Sequence, residues 1–100
     1  MTTRLPTGKE ALILELLARR GELYGLELVA LSEGRLKRGT VYVSLGRLQA
    51  KGWVQVVADE AAGEHAGLPR PRYRLSAAGK KVSSLCRRAA QVLELATEVP

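Results

Sequence analysis

The sequence predicts a mainly α-helical protein with a small β-hairpin. Four segments carry apolar residues at helical spacing, and glycines follow the first three of them. Between the third and fourth segments, two short stretches with strand character flank a polar loop that contains two glycines. A chain of 100 residues has room for one such compact unit and not for two independent cores.

A capping box predicts the first helix. Thr7 and Glu10 stand three residues apart, so the Thr7 hydroxyl can accept from a first-turn N–H group while the Glu10 carboxylate reaches back. Gly21 can supply a left-handed stop after residue 20. Apolar residues at 11–14 and 16–18 cover more than one face, so we expect cover on two sides, one of them provided by a second subunit that contacts Leu14.

Two further helices are predicted to follow closely. The second runs from about Tyr24 to Glu33, with Gly34 as its stop. The third runs from residue 38 or 39 to Lys51, and its core stripe is Val41, Leu45 and Leu48. Its opposite face and flanks contain no acid and comprise Thr40, Tyr42, Val43, Ser44, Gly46, Arg47 and Ala50.

The hairpin is predicted from residues 53–58 and 70–75, and in the second of these arginines alternate with other residues. Ser76 then caps a last helix from residue 77 to about 98. Apolar residues in this helix recur at alternating three- and four-residue intervals, as in the a/d seam of a coiled coil. Such a seam packs against a second helix. We therefore expect a homodimer, whose interface comprises Leu14, Val82, Leu85, Ala89, Val92, Leu93 and Ala96. Residues 1–76 would form one part of the unit and residues 77–100 the dimerisation helix.

The basic residues are concentrated in two blocks. The chain carries a formal net charge of +6, and residues 35–51 hold five bases and no acid, while residues 70–88 hold seven bases and no acid. These blocks coincide with the third helix and the hairpin. Three helices followed by a hairpin with arginines on one face is the element order of a winged helix-turn-helix, which predicts double-stranded DNA as the partner.

Other classes of protein are poorly supported. Cys86 and His65 are the only cysteine and the only histidine, so the sequence offers no disulfide framework, no zinc site and no convincing catalytic constellation. We expect no enzymatic activity, no cofactor and no metal. There is neither an apolar run of membrane-spanning length nor a secretory signal, so we expect no membrane partner and a cytoplasmic, nucleoid-associated location.

Three stretches resemble the PadR-like transcriptional regulators. They are LELLARRGELYGLELV at 14–29, RGTVYVSLGRLQAKGWV at 38–54 and GLPRPRYRLSAAGKK at 67–81. The resemblance implies a dimeric winged-helix repressor that binds an inverted-repeat operator and dimerises through its C-terminal helix, aided by the first. The single last helix is similar to the short-tailed branch of that family.

The chain departs from the family pattern at two positions of the third helix. Many members have proline in place of Val43 and a larger polar residue in place of Gly46. The operator sequences of those members therefore cannot be assumed for this chain. The missing side chain at Gly46 could let the backbone approach DNA closely, or it could be a tolerated accident. Some relatives bind planar small-molecule effectors between tryptophans, but residues 77–100 contain no aromatic residue, so the sequence does not support such an effector.

Roles can be assigned within the predicted DNA surface. Arg47 could read a guanine or bind a phosphate, and Val43 could pack on a thymine methyl. The resemblance places Tyr42 near the DNA backbone, whereas its ring could equally pack against the wing. The expected contacts are Lys37, Arg38, Thr40, Tyr42, Val43, Ser44, Arg47, Lys51, Arg70 and Arg72. The alternative function is a winged-helix module that binds another protein and no DNA.

Overall fold

The described part of the chain forms four helices and a three-stranded antiparallel sheet. The computed structural model describes residues 6–57 and 71–98, with the side chains of 96–98 left out. In chain order the elements are α1 (Gly8–Arg20), β1 (Glu22–Tyr24), α2 (Gly25–Leu31), α3 (Arg38–Ala50), β2 (Val54–Val57), β3 (Arg72–Leu75) and α4 (Ala77–Glu98). The sheet order is β1-β3-β2, so β3 lies in the middle. This is the predicted winged helix with one strand more than the hairpin.

Helix α1 has the predicted ends. The Thr7 hydroxyl accepts a hydrogen bond from the Glu10 N–H at 3.3 Å, and the Glu10 carboxylate accepts from the Thr7 N–H at 2.9 Å. At the other end, Gly21 has a φ of 90° and its N–H donates to the Leu17 carbonyl. Both the capping box and the glycine stop are therefore confirmed.

Helix α2 is shorter than predicted. The sequence predicts an end near Glu33, but the helix ends at Leu31. The Ser32 side chain forms hydrogen bonds with backbone groups on both sides of it, which replace a further helical turn. Its hydroxyl donates to the Val29 carbonyl at 2.8 Å and accepts from the Leu36 N–H at 2.9 Å. This pair of bonds turns the chain toward α3 and brings Leu36 into the core.

Strand β1 was not predicted. Its three residues pair with β3 in the register Glu22↔Arg74 and Tyr24↔Arg72, so Tyr24 belongs to a strand and not to α2. The two predicted strands are present but shorter, at Val54–Val57 and Arg72–Leu75. Trp53 and Pro71 are described but belong to no strand, and residues 58–70, including Arg70, lie outside the described residues.

The core is built mainly from α1, α3 and the inner face of the sheet. Val41, Leu45 and Leu48 are completely buried, as their spacing predicts. Leu14, in contrast, was predicted at the dimer interface and is only 1% exposed, because α1 packs against α3, α4 and β3 of its own chain. The second apolar face of α1 is thus covered within the chain, and the assignment of Leu14 to the interface is wrong.

Helix α4 packs only along its first part. Ser83 is buried and Val82 is half-buried against the core, next to α1. The predicted cap is present, since the Ser76 hydroxyl accepts from the Gly79 N–H at 3.0 Å. Every side chain described from Arg87 to Leu95 is exposed. Within the described part of the chain, no helix is both long and apolar enough to cross a membrane.

Candidate functional site

The outer face of α3 is the exposed surface that the sequence singled out. Thr40, Tyr42, Val43 and Arg47 are exposed and Ser44 is half-buried, while the opposite stripe is fully buried. Since residues three and four apart share a face, the burial of that stripe turns these side chains to the outside. The face carries no acidic residue.

The start of α3 adds two cations to this face. Lys37 occupies the N-cap position and Arg38 the first helical position, and both are exposed. The Lys37 side chain makes no capping bond, and the Thr40 hydroxyl lies 3.5 Å from the Lys37 carbonyl, a long contact for a hydroxyl. The positive end of the helix dipole and two exposed cations therefore coincide, which favours an anion such as a phosphate.

Tyr42 packs against the start of α2. A Cβ atom added at Gly25 would lie 2.6 Å from the Tyr42 ring, so the ring occupies a notch that only glycine leaves open. Tyr42 also lies near Tyr73 of β3, whose pKa is raised by burial and, to a smaller extent, by Tyr42. The packing partner of the ring is thus mainly α2, while the side chain stays partly exposed on the α3 face.

Gly46 lies open in the middle of this face. An added Cβ atom there would meet nothing within 4 Å, so no contact within the described residues requires a glycine. The two explanations raised by the sequence, close approach of DNA and a tolerated accident, both stay open.

Lys51 has a partner inside the protein. Its ammonium lies 3.0 Å from both carboxylate oxygens of Glu10 and 5.0 Å from the centroid of the Trp53 ring. This contact ties the end of α3 to the start of α1, so Lys51 has a structural role, while its expected contact with a phosphate stays a prediction. Burial alone would raise the pKa of Glu10, but the Thr7 N–H and the Lys51 ammonium outweigh it and hold that pKa below its ordinary value of 4.5.

This ion pair gives a pH-dependent stability. A carboxylate whose pKa is lower in the folded than in the unfolded state stabilises the fold above its unfolded pKa, and the gain is lost as the pH falls through the folded value. We expect Glu10→Gln to lower the free energy of unfolding by about 1 kcal/mol at pH 7, a modest value because Lys51 is partly solvated. Urea denaturation should show this difference shrinking below about pH 4.5.

Glu15→Gln is the matched control for that measurement. Glu15 also pairs with a cation, Arg19 at 2.9 Å, but both side chains of the pair are exposed. We expect its loss to change the free energy of unfolding by less than about 0.5 kcal/mol. Equal effects of the two substitutions at pH 7 would contradict the structural role of the Glu10–Lys51 pair.

Two wing arginines lie within the described residues, Arg72 and Arg74, and both lie near Glu22 of β1. The Arg72 guanidinium lies 3.6 Å from the Glu22 carboxylate and 5.9 Å from the centroid of the Tyr24 ring, and its Nε is buried without a hydrogen-bond partner among the described residues. Arg74 donates to Gln55 at 3.2 Å and also lies near Glu22. Arg72 therefore has contacts within the sheet, and its expected contact with DNA stays a prediction.

Glu22, the acidic residue beside Arg72 and Arg74, is not among the residues that the sequence predicts for this site. The signal was available only in part, because alternation over the three residues of β1 is too short to indicate a strand. Elsewhere in the described residues, no three His, Cys, Asp or Glu side chains come together as metal ligands would.

Several solved structures of similar fold are described as transcription regulators. A PadR family transcription regulator from Clostridium difficile is 22% identical, with a TM-score of 0.77 over 90% of this chain and 94% of that chain. PadR of Bacillus subtilis, in complex with operator DNA, is 23% identical, with a TM-score of 0.65 over 75% of this chain and 44% of that one. A PadR family regulator from Eggerthella lenta is 23% identical, with a TM-score of 0.69 over 89% and 80% of the two chains.

The sequence comparisons agree with the fold. No curated protein matches the sequence. The model of the family described as "Transcriptional regulator PadR-like family" matches residues 13–84, which is most of the chain. The chain therefore belongs to the PadR-like family of transcriptional regulators.

Proposed function

We propose that this protein is a sequence-specific, double-stranded DNA-binding repressor that acts as a homodimer on an inverted-repeat operator. The observation that carries the proposal is the outer face of α3, which is exposed, free of acids and bordered by Lys37, Arg38 and Arg47. A helix with this surface fits the major groove of DNA. The operator complex of the Bacillus subtilis relative supports the same partner for this chain.

The proposed DNA contacts divide into two kinds. Small and apolar side chains at the centre of the face suit base edges, whereas the cations at its ends suit phosphates. For a base we propose Val43, and for the DNA backbone Thr40, Tyr42 and Ser44. The proposed phosphate contacts are Lys37, Arg38, Arg47 and Arg70.

The proposed dimer rests on the exposed half of α4. Leu85, Val92 and Leu93 are 59%, 62% and 66% exposed, which is costly for three large apolar side chains on one short stretch of helix. Ala89 lies between them and lets another helix approach closely. We propose that a second copy covers Val82, Leu85, Ala89, Val92, Leu93 and Ala96, of which the side chain of Ala96 lies outside those described. Residues 77–100 would form the dimerisation segment, while residues 1–76 bind DNA.

The dimer would act without chemistry of its own. The family comprises regulators, and we propose neither enzymatic activity nor a cofactor for this chain. We propose that the protein works beside the chromosome, in the cytoplasmic, nucleoid-associated location that the sequence predicts.

The salt dependence of binding tests the proposal. Four cations per protomer would neutralise about eight phosphates per dimer, so the logarithm of the affinity should fall with the logarithm of the salt concentration at a slope of about −7. The measurement is fluorescence anisotropy with a duplex selected by the protein from a random library. Binding that is insensitive to salt between about 50 and 200 mM would contradict the proposal.

The exposed apolar face of α4 also fits the second candidate, a module that binds another protein. Such a module would shift no duplex in a gel and would retain its protein partner at high salt. If the protein selects a defined duplex sequence from a random library, that result will favour the repressor over this candidate.

A further inference from the structure

We infer that Ser76 and Gly79 form a stiff link between the recognition helix α3 and helix α4, and that this link sets the distance between the two recognition helices of a dimer. The inference rests on the proposed function, since it concerns how a dimer fits an inverted repeat. It assigns a positioning role to two residues that touch neither DNA nor the proposed dimer partner.

Backbone hydrogen bonds connect the end of α3 to the start of α4 almost without interruption. The Trp53 N–H donates to the Leu48 carbonyl in the last turns of α3, at 3.0 Å. The Trp53 carbonyl in turn accepts from the Ser76 N–H, also at 3.0 Å. Only one residue therefore stands between the hydrogen bonds of α3 and those of α4.

The Ser76 side chain makes a second connection between the end of α3 and the start of α4. Its hydroxyl donates to the Gly52 carbonyl at 2.6 Å and accepts from the Gly79 N–H at 3.0 Å. Gly52 is the left-handed residue, with a φ of 78°, that ends α3. One hydroxyl thus joins the last residue of the α3 turn to the first turn of α4, and Ser76 is buried, so water does not compete for these bonds.

Gly79 lets α4 lie directly on this turn. A Cβ atom added at Gly79 would be 1.9 Å from the Trp53 carbonyl oxygen and 2.8 Å from the carbonyl carbon. Both atoms belong to the backbone, so they cannot swing aside as a side chain would. Any residue other than glycine must push α4 and the Trp53 turn apart by about 1 Å before the contact becomes tolerable.

A displacement at this point is enlarged along the helix. Helix α4 has 22 residues, a length of about 33 Å, and its exposed half begins two turns beyond Gly79. When the base of such a rod moves, the surface that we propose for the partner copy rotates relative to α3. The two recognition helices of the dimer are then separated by a different distance, and the half-site spacing that fits them changes.

The test compares Gly79→Ala with wild-type protein on duplexes that carry one half-site or two half-sites at separations that differ by single base pairs. We expect the variant to remain dimeric in sedimentation velocity and to bind the single half-site within about twofold of wild type. On the wild-type optimal spacing it should bind at least about tenfold more weakly, and its optimum should move by one or more base pairs. A merely structural role for Gly79 would weaken binding to one and to two half-sites in proportion.

Ser76→Ala keeps the test decisive if Gly79→Ala does not fold. It removes the hydroxyl bonds without adding bulk, so the link should loosen and the variant should tolerate a wider range of spacings than wild type. Ala78→Ser is the control, because it changes an exposed residue of the same turn and should leave the spacing preference unaltered.

Two outcomes separate this inference from the function on which it rests. If folded variants keep the wild-type spacing optimum and affinity while wild type prefers two half-sites, the link has no positioning role. If wild type itself binds two half-sites no more tightly than one, the proposed dimer on an inverted repeat fails, and the inference fails with it.

Discussion

Leu85→Glu should convert the proposed dimer into monomers and weaken binding to the operator by about 100-fold. Leu85 is 59% exposed and lies on the apolar seam of α4, so a dimer would place two new carboxylates in a dry contact between helices. Burying an unpaired carboxylate costs several kcal/mol, which exceeds what one pair of leucines contributes. Sedimentation velocity at micromolar concentration should show the change of mass.

The loss of affinity follows from the loss of two-site binding. A dimer that holds one half-site presents its second α3 to the other half-site at a high effective concentration, and a monomer forfeits that advantage. The affinity of a monomer for a single half-site should therefore be unaltered, because Leu85 lies on α4 and far along the chain from the α3 surface. Anisotropy titrations on one and on two half-sites would measure both effects.

Gln91→Glu is the matched control for Leu85→Glu. It also adds a carboxylate to an exposed position of α4, but about 120° away from the seam. Both variants should keep the wild-type melting temperature within a few degrees in the absence of association, because neither position contributes to the core. A Leu85→Glu protein that is still fully dimeric would place the interface elsewhere.

The fold could be predicted well where one local rule decides the structure. The capping box at Thr7, the glycine stop at Gly21 and the stripe of Val41, Leu45 and Leu48 each depend on a few neighbouring residues, and these three are confirmed. Where a side chain competes with the backbone, as at Ser32, the predicted end of the helix was wrong. The periodicity of apolar residues carries no information about such a bond.

The site was harder to predict because a charge does not reveal its partner. Arg72 and Lys51 were assigned to DNA from their positions in basic blocks, but each has an acid nearby in space and distant in sequence, Glu22 and Glu10 respectively. Leu14 shows the same limit for apolar residues, since a two-faced helix can be covered by its own chain as well as by a second one. The outer face of α3 was predictable because burial of its other side determines it.

Arg47→Ala should lower the affinity for the operator by about 2 kcal/mol per dimer, roughly 30-fold. Arg47 is exposed in the last turn of α3, whereas base contacts of recognition helices come chiefly from residues near the N-terminus. We therefore expect its guanidinium to bind a phosphate. Loss of one phosphate contact per protomer should make the salt slope shallower by about 2 per dimer and weaken binding similarly for all operator sequences.

Arg47→Lys distinguishes the two contacts that the sequence left open for this residue. A lysine keeps the point charge that a phosphate needs but loses the planar pair of donors that reads guanine. Near wild-type affinity and salt slope in Arg47→Lys would support the phosphate contact. A relaxed preference at a single base pair, measured by competition with operators altered one position at a time, would instead assign Arg47 to a guanine. If Arg47→Ala binds as tightly as wild type, the outer face of α3 is not the surface that meets DNA.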